Sequence, residues 1–443
     1  MKTIRSLYLR DRLFLVSGIL VGLFVLSFPL PVFFPITMVL FIALCGTLVA
    51  DIWMLNRIQD GLKGSRIAPA KLSNGDKNEI EVYLESFYPN PLFVEVVDEI
   101  PHQFQKRDVK FSASLNPRET RIIKYSLRPV KRGIYHFGGI NVYTFTVLGL
   151  VSRRYTFSQD QEIPVYPSYL QLRKYELMAI SNRLMDAGIK KIRRIGHNME
   201  FEQIKEYVQG DDFRTINWNA TARKSTLMVN NYQDERSQQV YSLIDKGRTM
   251  KMPFEGMTLL DWSINASLVI SNIALKKEDK AGLITFQHKV STILGASKRS
   301  NQMHYILETL FNQKTAYKES DFSRLYTSVR RKITQRSLLL LFTNFESLSS
   351  MQRQLPYLQR LASRHVLVTI FFENTELDDF IHSRAEDMQT VYQKIIAEKL
   401  VFEKKLIVKE LNRHGIHTIL TAPENLTVNT INKYLELKAR GMI

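Results

Sequence analysis

The sequence has little cysteine, few acidic residues and none of the common catalytic motifs. Cysteine occurs once, as Cys45 in an apolar run, which excludes a disulfide within the chain and indicates no thiol nucleophile. The patterns GxxxxGK[ST], HExxH, GxSxG and GxGxxG are all missing, so the sequence indicates no ATP-hydrolysing, zinc-protease, hydrolase or dinucleotide site. If ATP hydrolysis drives the function, we expect the ATPase to be a separate chain.

The shortage of acidic residues leaves a strongly basic protein. There are 61 Lys and Arg against 43 Asp and Glu, which gives a formal net charge of +18. Such a charge suits an anionic partner, either an acidic membrane surface or a nucleic acid. The length of 443 residues, with 45% hydrophobic and 23% charged residues, predicts two or three globular domains.

Two apolar runs stand near the N-terminus. They extend from Leu13 to about Leu30 and from about Ile36 to Met54, each close to the roughly 20 residues that span a bilayer. Prolines between them predict a tight connection. Basic residues flank the pair on both sides: Lys2, Arg5, Arg10, Arg12, Arg57, Lys63, Arg66 and Lys71. The sequence therefore predicts a two-helix transmembrane anchor over residues 1–58, with both flanks in the cytoplasm.

A cleaved signal peptide is the alternative interpretation of the first run. The second run follows at once, and no small-residue cleavage pattern separates the two, which favours the anchor. Gly18 and Gly22 form a GxxxG spacing that lets helices approach closely. This spacing serves either the two helices of the hairpin or a contact between two copies, and we favour the hairpin.

Residues 66–165 have the pattern of an all-β module. Five stretches alternate or cluster β-branched and aromatic residues: 78–87, 93–100, 108–115, 120–127 and 140–157. Turn residues such as Asn74-Gly75-Asp76 and Gly138-Gly139 separate them. Several short strands with this punctuation predict a β-sandwich, most simply a packing or interaction module.

From about residue 235 to 443, strands alternate with helices. Val240–Asp245 and Ser337–Asn344 read as strands, and residues 259–275 have helical spacing. A long charged helical stretch is expected over 376–413. Alternation of this kind predicts a doubly wound α/β domain, in which ligands bind outside the carboxyl ends of the strands. Residues 245–250 and 343–347 lie at such ends.

These strand-end residues resemble the von Willebrand factor A family, whose D-x-S-x-S/T motif follows the first strand. This chain keeps Asp245 and Thr249 but has Gly247 where the family has a hydroxyl, and Asn344 where it has an aspartate. The resemblance implies a Mg²⁺ site of degenerate composition, with Asp245, Thr249, Asp321 and Asn344 as candidate oxygen ligands. A further hypothesis is that Lys246 or Arg248 supplies the positive charge in place of the metal.

Between these domains, residues 166–234 form a junction segment of mixed character. We expect a short helix from Asn198 that ends at Gly210, a second helix capped by Asp212, and a strand over 227–233. Trp218 is expected to pack, and Arg214 and Arg223 to pair with the adjacent aspartates. A structural junction is favoured over a partner-docking surface, and catalysis is the weakest alternative.

Across this segment the chain resembles the bacterial DUF58 family over about 55 residues with many fixed spacings. The matching residues are Gly196, Glu200, Phe201, Tyr207, Gly210, Asp211, Asp212, Arg214, Asn217, Trp218, Ala222, Arg223, Glu235, Arg236, Asp245, Gly247, Arg248 and Met250. Many members have aspartate in place of Asn217. The resemblance implies a bacterial plasma-membrane protein of unknown function and partnership with a MoxR-type AAA+ ATPase.

Two functions from different classes follow. The first is a membrane-anchored, non-catalytic adaptor that contacts the lipid bilayer and a protein partner, and that assists assembly or activation of other proteins. The second is a basic, membrane-associated nucleic-acid-binding protein. No stretch interleaves aromatic residues with a basic groove, as single-strand binders do, so no nucleic acid is expected.

Overall fold

The protein is described by a computed structural model over residues 6–106, 109–157, 160–180, 199–209, 211, 213–234, 237–315, 317–384 and 387–443. The chain folds into two compact units, Met1–Tyr166 and Pro167–Ile443. The sequence predicts a finer division into four segments, 1–58, 66–165, 166–234 and 235–443. That finer division stays a prediction.

The first unit begins with two apolar helices, α1 (Asp11–Ser27) and α2 (Phe34–Asn56). They pack together, and the Phe24 ring lies 6.4 Å from that of Phe34 and 6.3 Å from that of Phe41. Within the described part of the chain, α2 is the one helix long and apolar enough to cross a membrane. Its 23 residues extend about 35 Å at 1.5 Å per residue.

The rest of the first unit is β-structure. The strands are β1 (Leu7–Leu9), β2 (Leu62–Ile67), β3 (Leu72–Ser73), β4 (Asn78–Ser86), β5 (Leu92–Asp98), β6 (Lys110–Leu115), β7 (Thr120–Leu127), β8 (Gly133–Phe137), β9 (Ile140–Phe145), β10 (Val151–Phe157) and β11 (Gln161–Tyr166). They form sheets of order β1-β10-β9-β5-β6, β2-β4-β7 and β3-β11-β8. Alternate residues of β4, Ile80, Val82 and Leu84, are fully buried, as a half-buried strand requires.

The apolar core between β2, β4, β5 and β9 includes Leu62, Val82, Val94 and Val142. Two of the sheets therefore face each other across it. The stretch 140–157, which resembles one long strand, is split into the antiparallel pair β9 and β10, because residues 146–150 form a turn with Gly149 at a left-handed φ of +63°. Glycine adopts that conformation at little cost because it has no Cβ.

Two side chains join α2 to this β-structure. Asp51 is fully buried and accepts hydrogen bonds from Thr146 Oγ1 at 2.5 Å, Leu150 N at 3.1 Å and Val151 N at 3.0 Å. Arg153 on β10 donates at 2.8 Å to the carbonyl oxygens of Leu55, Ile58 and Gln59. The carbonyl groups left open at the end of a helix are thereby satisfied by a cation, as the helix dipole favours.

The second unit mixes strands and helices. Its strands are β12 (Met199–Glu206), β13 (Met228–Asp234), β14 (Gln239–Asp245), β15 (Pro253–Phe254), β16 (Met257–Thr258), β17 (Lys280–Phe286), β18 (Val290–Ser297), β19 (Leu338–Phe342), β20 (Val366–Phe372) and β21 (His417–Thr421). Its helices are α3 (Tyr169–Ile180), α4 (Trp218–Lys224), α5 (Leu259–Lys276), α6 (Gln302–Phe311), α7 (Phe322–Lys332), α8 (Leu348–Ala362), α9 (Thr375–His382), α10 (Met388–Arg413) and α11 (Leu426–Ala439).

The main sheet of this unit has the order β18-β17-β14-β19-β20-β21. All neighbours pair in parallel except β18, which is antiparallel to β17. One face packs on α5, α6 and α11, and the other on α7, α8 and α10. From the central strand β14 the chain moves first towards β17 and β18, then crosses to β19. The strand order therefore reverses between β14 and β19, where ligand sites of open α/β sheets form.

Two local predictions are wrong. The segment expected as a helix from Asn198 is the strand β12, paired with β13 from Met199↔Asp234 to Glu206↔Met228; pairing with a distant strand outweighs local helical spacing. Asn198 itself and Gly210 lie outside the described residues. The long helix expected over 376–413 is two helices, because Asp387 begins α10 by accepting a bond from Thr390 N at 2.8 Å.

Candidate functional site

A polar cavity of about 310 Å³ opens at the carboxyl ends of β14 and β19. This is the point where the strand order reverses. The residues that line the cavity are Asp245, Arg248, Thr249, Glu319, Ser320, Phe322, Thr343, Asn344, Phe345, Glu346, Ser347, Ser350, Arg353 and Gln354. Neutral hydroxyl groups, carboxylates and guanidinium groups thus surround one opening.

Asp245 lines this polar cavity and is almost fully buried. Its Oδ2 accepts a hydrogen bond from Thr343 Oγ1 at 2.7 Å, and its Oδ1 accepts from Gly247 N at 2.7 Å and from the Ser320 hydroxyl. Burial raises the pKa of the Asp245 carboxyl, and these three donors oppose the rise. The carboxyl group is therefore held by the protein's own donors on both oxygens.

Position 247 has no room for a side chain, because Ser320 occupies the space that a Cβ would need. A Cβ at position 247 would lie 2.0 Å from Ser320 Oγ and 3.0 Å from Asp245 Oδ1. The von Willebrand factor A pattern has a hydroxyl side chain at position 247. In this chain the Ser320 hydroxyl, 73 positions later, donates to the Asp245 carboxylate from the space of that side chain. No feature of the local motif indicates Ser320.

We expect Gly247→Ala to lower the free energy of unfolding by about 1–3 kcal/mol, since the added methyl collides with Ser320. Ser320→Gly removes the obstacle, so the double variant should be less destabilised than the sum of the single variants. Urea unfolding of the full chain in detergent, with all three variants, measures this coupling. Strict additivity would mean that the two residues do not share the space.

Asn344 and its neighbour Phe345 bind a lysine from α10. Lys404 Nζ donates to Asn344 Oδ1 at 2.5 Å and to the Phe345 carbonyl at 2.7 Å. Burial lowers the pKa of Lys404 to about 8, because a charged ammonium loses hydration there. Lys404 is not among the residues predicted from the sequence. One signal was present: Lys404 lies seven residues from both Ala397 and Leu411, which are buried on the same face of α10.

The lowered pKa of Lys404 predicts a pH dependence of stability. Its pKa falls from 10.5 to about 8 on folding, so the folded state binds fewer protons than the unfolded state between these values. Stability should therefore rise as pH increases from about 8 to 10.5, by about 3 kcal/mol at most. In Lys404→Met this rise should vanish, whereas the exposed neighbour Lys405→Met should keep it. Equal slopes in native protein and Lys404→Met would contradict the assignment.

The structure brings three of the four expected Mg²⁺ ligands to one cavity wall. Asp245, Thr249 and Asn344 line it, but Asp321 caps α7 by accepting from Arg324 N at 3.0 Å and pairs with Arg324 Nε at 3.1 Å. The Asn344 oxygen is bound to an ammonium group. As folded, this donor set does not fit the octahedral oxygen shell of Mg²⁺. The metal site stays a prediction.

The two cations expected to replace a metal both bind other side chains. Lys246 is buried and donates to Gln313 Oε1 at 3.0 Å. Arg248 is exposed and pairs with Glu346 at 3.5 Å. The buried cation nearest in role is Lys404, which binds Asn344 rather than Asp245. Positive charge at this edge of the sheet therefore comes from Arg248 and Arg353, which line the polar cavity, and from Lys404 on α10, which binds Asn344.

A second, mainly apolar cavity of about 230 Å³ adjoins the polar one. The two cavities share Asn344 and Glu346. The apolar residues of its wall are Met252, Pro253, Phe254, Leu259, Phe372, Leu377, Leu400, Val401 and Pro423. An apolar hollow thus lies beside a charged, hydroxyl-rich one at the same edge of the sheet.

Of the DUF58-like signature residues, Glu200 and Phe201 lie on β12, and Trp218, Ala222 and Arg223 lie on α4. Asn217 caps α4 by accepting from Ala220 N at 3.0 Å, and its amide donates to Asn230 Oδ1 at 2.8 Å. Asp211 binds Lys205 Nζ at 2.9 Å, and this hydrogen bond lowers the pKa of its carboxyl. The expected partners Arg214 and Arg223 are exposed. Tyr207 packs against Phe213, with ring centroids 5.4 Å apart.

One expectation for this segment is wrong. Trp218 does not pack: 68% of its surface is exposed, because it begins a short helix whose two turns leave its ring on the outer side. Glu200 and Phe201 lie on β12 opposite Gln233 and Tyr232, but their side chains are outside the described residues. Gly210, Asp212 and Glu235 are also outside the described residues.

Residues 203–377 match the family described as "Protein of unknown function DUF58". The chain is 28% identical over 221 residues to the uncharacterized protein YeaD of Bacillus subtilis (strain 168). That match covers 48% of this chain and 52% of YeaD, so the chain spans about half the length of this curated relative.

Two solved structures are similar in part. The conserved hypothetical protein BatB from Bacteroides thetaiotaomicron is 11% identical, with a TM-score of 0.31, and the likeness covers 46% of this chain and all of that one. The CARDB domain of the PF1109 protein from Pyrococcus furiosus is 17% identical, with a TM-score of 0.18, and covers 24% of this chain and 93% of that one. The antiparallel pair β12 and β13, with α4 between them, is called the signature hairpin. Most of it and the strand-end residues lie within residues 203–377, the range that matches DUF58.

Proposed function

We propose that the protein is a membrane-anchored, non-catalytic adaptor whose α/β unit binds a protein partner at the carboxyl ends of its strands. The observation that supports this is the pair of adjoining cavities, one polar and one apolar, that share Asn344 and Glu346. Protein interfaces combine an apolar centre, which takes an anchor side chain, with a polar rim. This edge of the sheet offers both.

The rim of the polar cavity is suited to recognition. Arg248 and Glu346 pair at 3.5 Å while most of each side chain stays exposed, so the pair contributes little to stability. Charged groups at a rim mainly steer and orient a partner. Asp245, which lines the same cavity, is bound by three internal donors. In this arrangement Asp245 shapes the cavity wall, and the exposed charges select the partner.

We further propose that the α/β unit is of the von Willebrand factor A type. In chain order its six main strands are arranged 3-2-1-4-5-6, with the third antiparallel. Helices on both faces and a ligand site at the first strand's carboxyl end agree with that fold. The β-structure of the first unit would be a sandwich that holds a client or a second subunit.

The anchor is proposed to be a hairpin of α1 and α2 in a bacterial plasma membrane. The start of α1 and the end of α2 contact the same turn of β-structure: Arg10 N donates to the Leu150 carbonyl at 3.1 Å, and Asp51 accepts from Leu150 N at 3.1 Å. Both ends therefore lie on one side. Arg10, Arg12 and Arg57 flank them, which favours a cytoplasmic location for that side.

The partner is proposed to be a MoxR-type AAA+ ATPase, on the strength of the family resemblance. The chain lacks a phosphate-binding loop of its own, so an ATP-driven assembly step needs a second protein. Affinity purification of the native full chain from gently solubilised bacterial membranes should recover an AAA+ ATPase. A parallel purification with residues 167–443 deleted should lose it. Equal recovery in both would contradict the proposal.

A further inference from the structure

The turn between β9 and β10, residues 146–150, is hydrogen-bonded to both α2 and the start of α1. Asp51 of α2 accepts hydrogen bonds from Thr146 Oγ1, Leu150 N and Val151 N. The same turn receives the N-terminus of α1, because the Leu150 carbonyl accepts from Arg10 N. Two apolar side chains at its tip remain exposed, Val147 by 65% and Leu148 by 41%. We call residues 146–150 the anchor turn.

The bonds to Asp51 fix how deep the anchor turn lies. Asp51 is two residues before Trp53 on α2, about 3 Å along the helix axis. Val49 and Trp53, on either side of it, are exposed, so α2 presents apolar surface at this level. Tryptophan favours the boundary between hydrocarbon and headgroups. If α2 spans a membrane, the anchor turn lies at that boundary, since Asp51 cannot move independently of it.

The charges around the anchor turn suit the same boundary. The Arg12 guanidinium approaches Gly149, within 3.2 Å of where a Cβ would lie, and Arg57 lies over the Trp53 ring at 5.3 Å. Cations beside exposed apolar side chains match a surface of acyl chains and anionic phosphates. Asp51 needs no water there, because its oxygens accept three hydrogen bonds from the protein.

We propose that the anchor turn enters the membrane interface and that Val147 and Leu148 contact lipid acyl chains. The partner is the bilayer surface itself, and the contact extends the lipid-facing surface of α1 and α2 onto the β-structure. This inference rests on the proposed membrane anchor. Its consequence is that the first unit sits on the membrane through a rigid contact rather than on a flexible tether.

The test uses the full chain in vesicles of phosphatidylcholine and phosphatidylglycerol. The native Cys45 is exposed on α2 and takes an environment-sensitive fluorophore directly. On a Cys45→Ser background, Val147→Cys probes the anchor turn, and Ile134→Cys, on β8 and 52% exposed, is the control matched in exposure. Each label is then exposed to lipids that carry a quencher at the headgroup or deep in the acyl chain.

We expect the deep quencher to act on the Cys45 label and the shallow quencher to remove about half of the Val147 label's emission, since interfacial apolar groups lie about 5–10 Å into the boundary. The Ile134 label should be unaffected by either. A quenched Cys45 label with an unquenched Val147 label would overturn this inference and leave the anchor intact. No quenching of either label would overturn the anchor together with the inference.

Discussion

Asp51→Ala is expected to lower the free energy of unfolding of the first unit by about 4 kcal/mol. The substitution leaves the Thr146 hydroxyl and the backbone N–H groups of Leu150 and Val151 buried without their acceptor. Each such group costs about 1–3 kcal/mol. A change of this size is a large part of a typical domain's stability, so α2 should separate readily from the β-structure.

Pulse proteolysis of the full chain in detergent across a urea series measures this effect. The concentration at which half of the first unit is cleaved should fall by about 2 M for Asp51→Ala. The matched control is Asp60→Ala, which removes an exposed carboxylate just beyond the same helix and should shift the midpoint little. A shift for Asp51→Ala no larger than that of the control would mean that the carboxylate does not hold the turn.

Asp245→Ala is expected to destabilise the second unit by about 3–5 kcal/mol, because Thr343, Ser320 and Gly247 N lose their acceptor in a buried site. Asp245→Asn should cost less than about 1 kcal/mol. Its oxygen can still accept from Gly247 and Ser320, and its amide can donate to the Thr343 hydroxyl. The alanine and asparagine variants therefore separate the loss of hydrogen bonds from the loss of charge.

The pH dependence of the same variants tests the state of the carboxyl. Burial raises the folded pKa of Asp245 above its ordinary 3.8. Its contribution to stability is therefore full below that ordinary value and is lost as pH rises through the folded pKa. Asp245→Asn lacks this loss, so its stability relative to native protein should improve from acidic to neutral pH. If the stability of the Asp245→Asn variant instead fell further behind that of native protein as pH rose, the raised pKa would be contradicted.

Much of the second unit could be predicted from hydrophobic pattern alone. The apolar runs Val240–Asp245 and Ser337–Asn344 supply the buried parallel strands β14 (Gln239–Asp245) and β19 (Leu338–Phe342), and helix α5 (Leu259–Lys276) matches the expected residues 259–275. The strands of the first unit were harder to predict from the sequence. Strands such as β2 (Leu62–Ile67), with the sequence LKGSRI, carry few β-branched residues. Their strand state comes from pairing with distant neighbours, which a local window does not register.

The candidate site was predictable only where its residues follow directly from strand ends. Asp245 and Thr343 lie there because parallel strands end at one edge. Ser320 and Lys404 come from elements 75 and 159 positions beyond Asp245 and reach the site through tertiary packing. Trp218 was expected to pack because large aromatic residues usually do, yet the described part of the second unit leaves it on the surface.

The central claim is that a protein partner docks at the carboxyl ends of the strands of the second unit. Binding of the proposed ATPase partner to native and charge-reversed protein tests this claim most directly. Arg248→Glu with Arg353→Glu changes the rim of the polar cavity. The control pair is Arg331→Glu with Arg336→Glu, exposed near the opposite, amino-terminal end of β19. We predict that the proposed partner, a purified MoxR-type ATPase, binds the native chain and the control pair alike and binds the rim variant at least about tenfold more weakly. Equal binding by all three would contradict docking at the strand ends, and its loss in Trp218→Ala instead would move the docking surface to the signature hairpin.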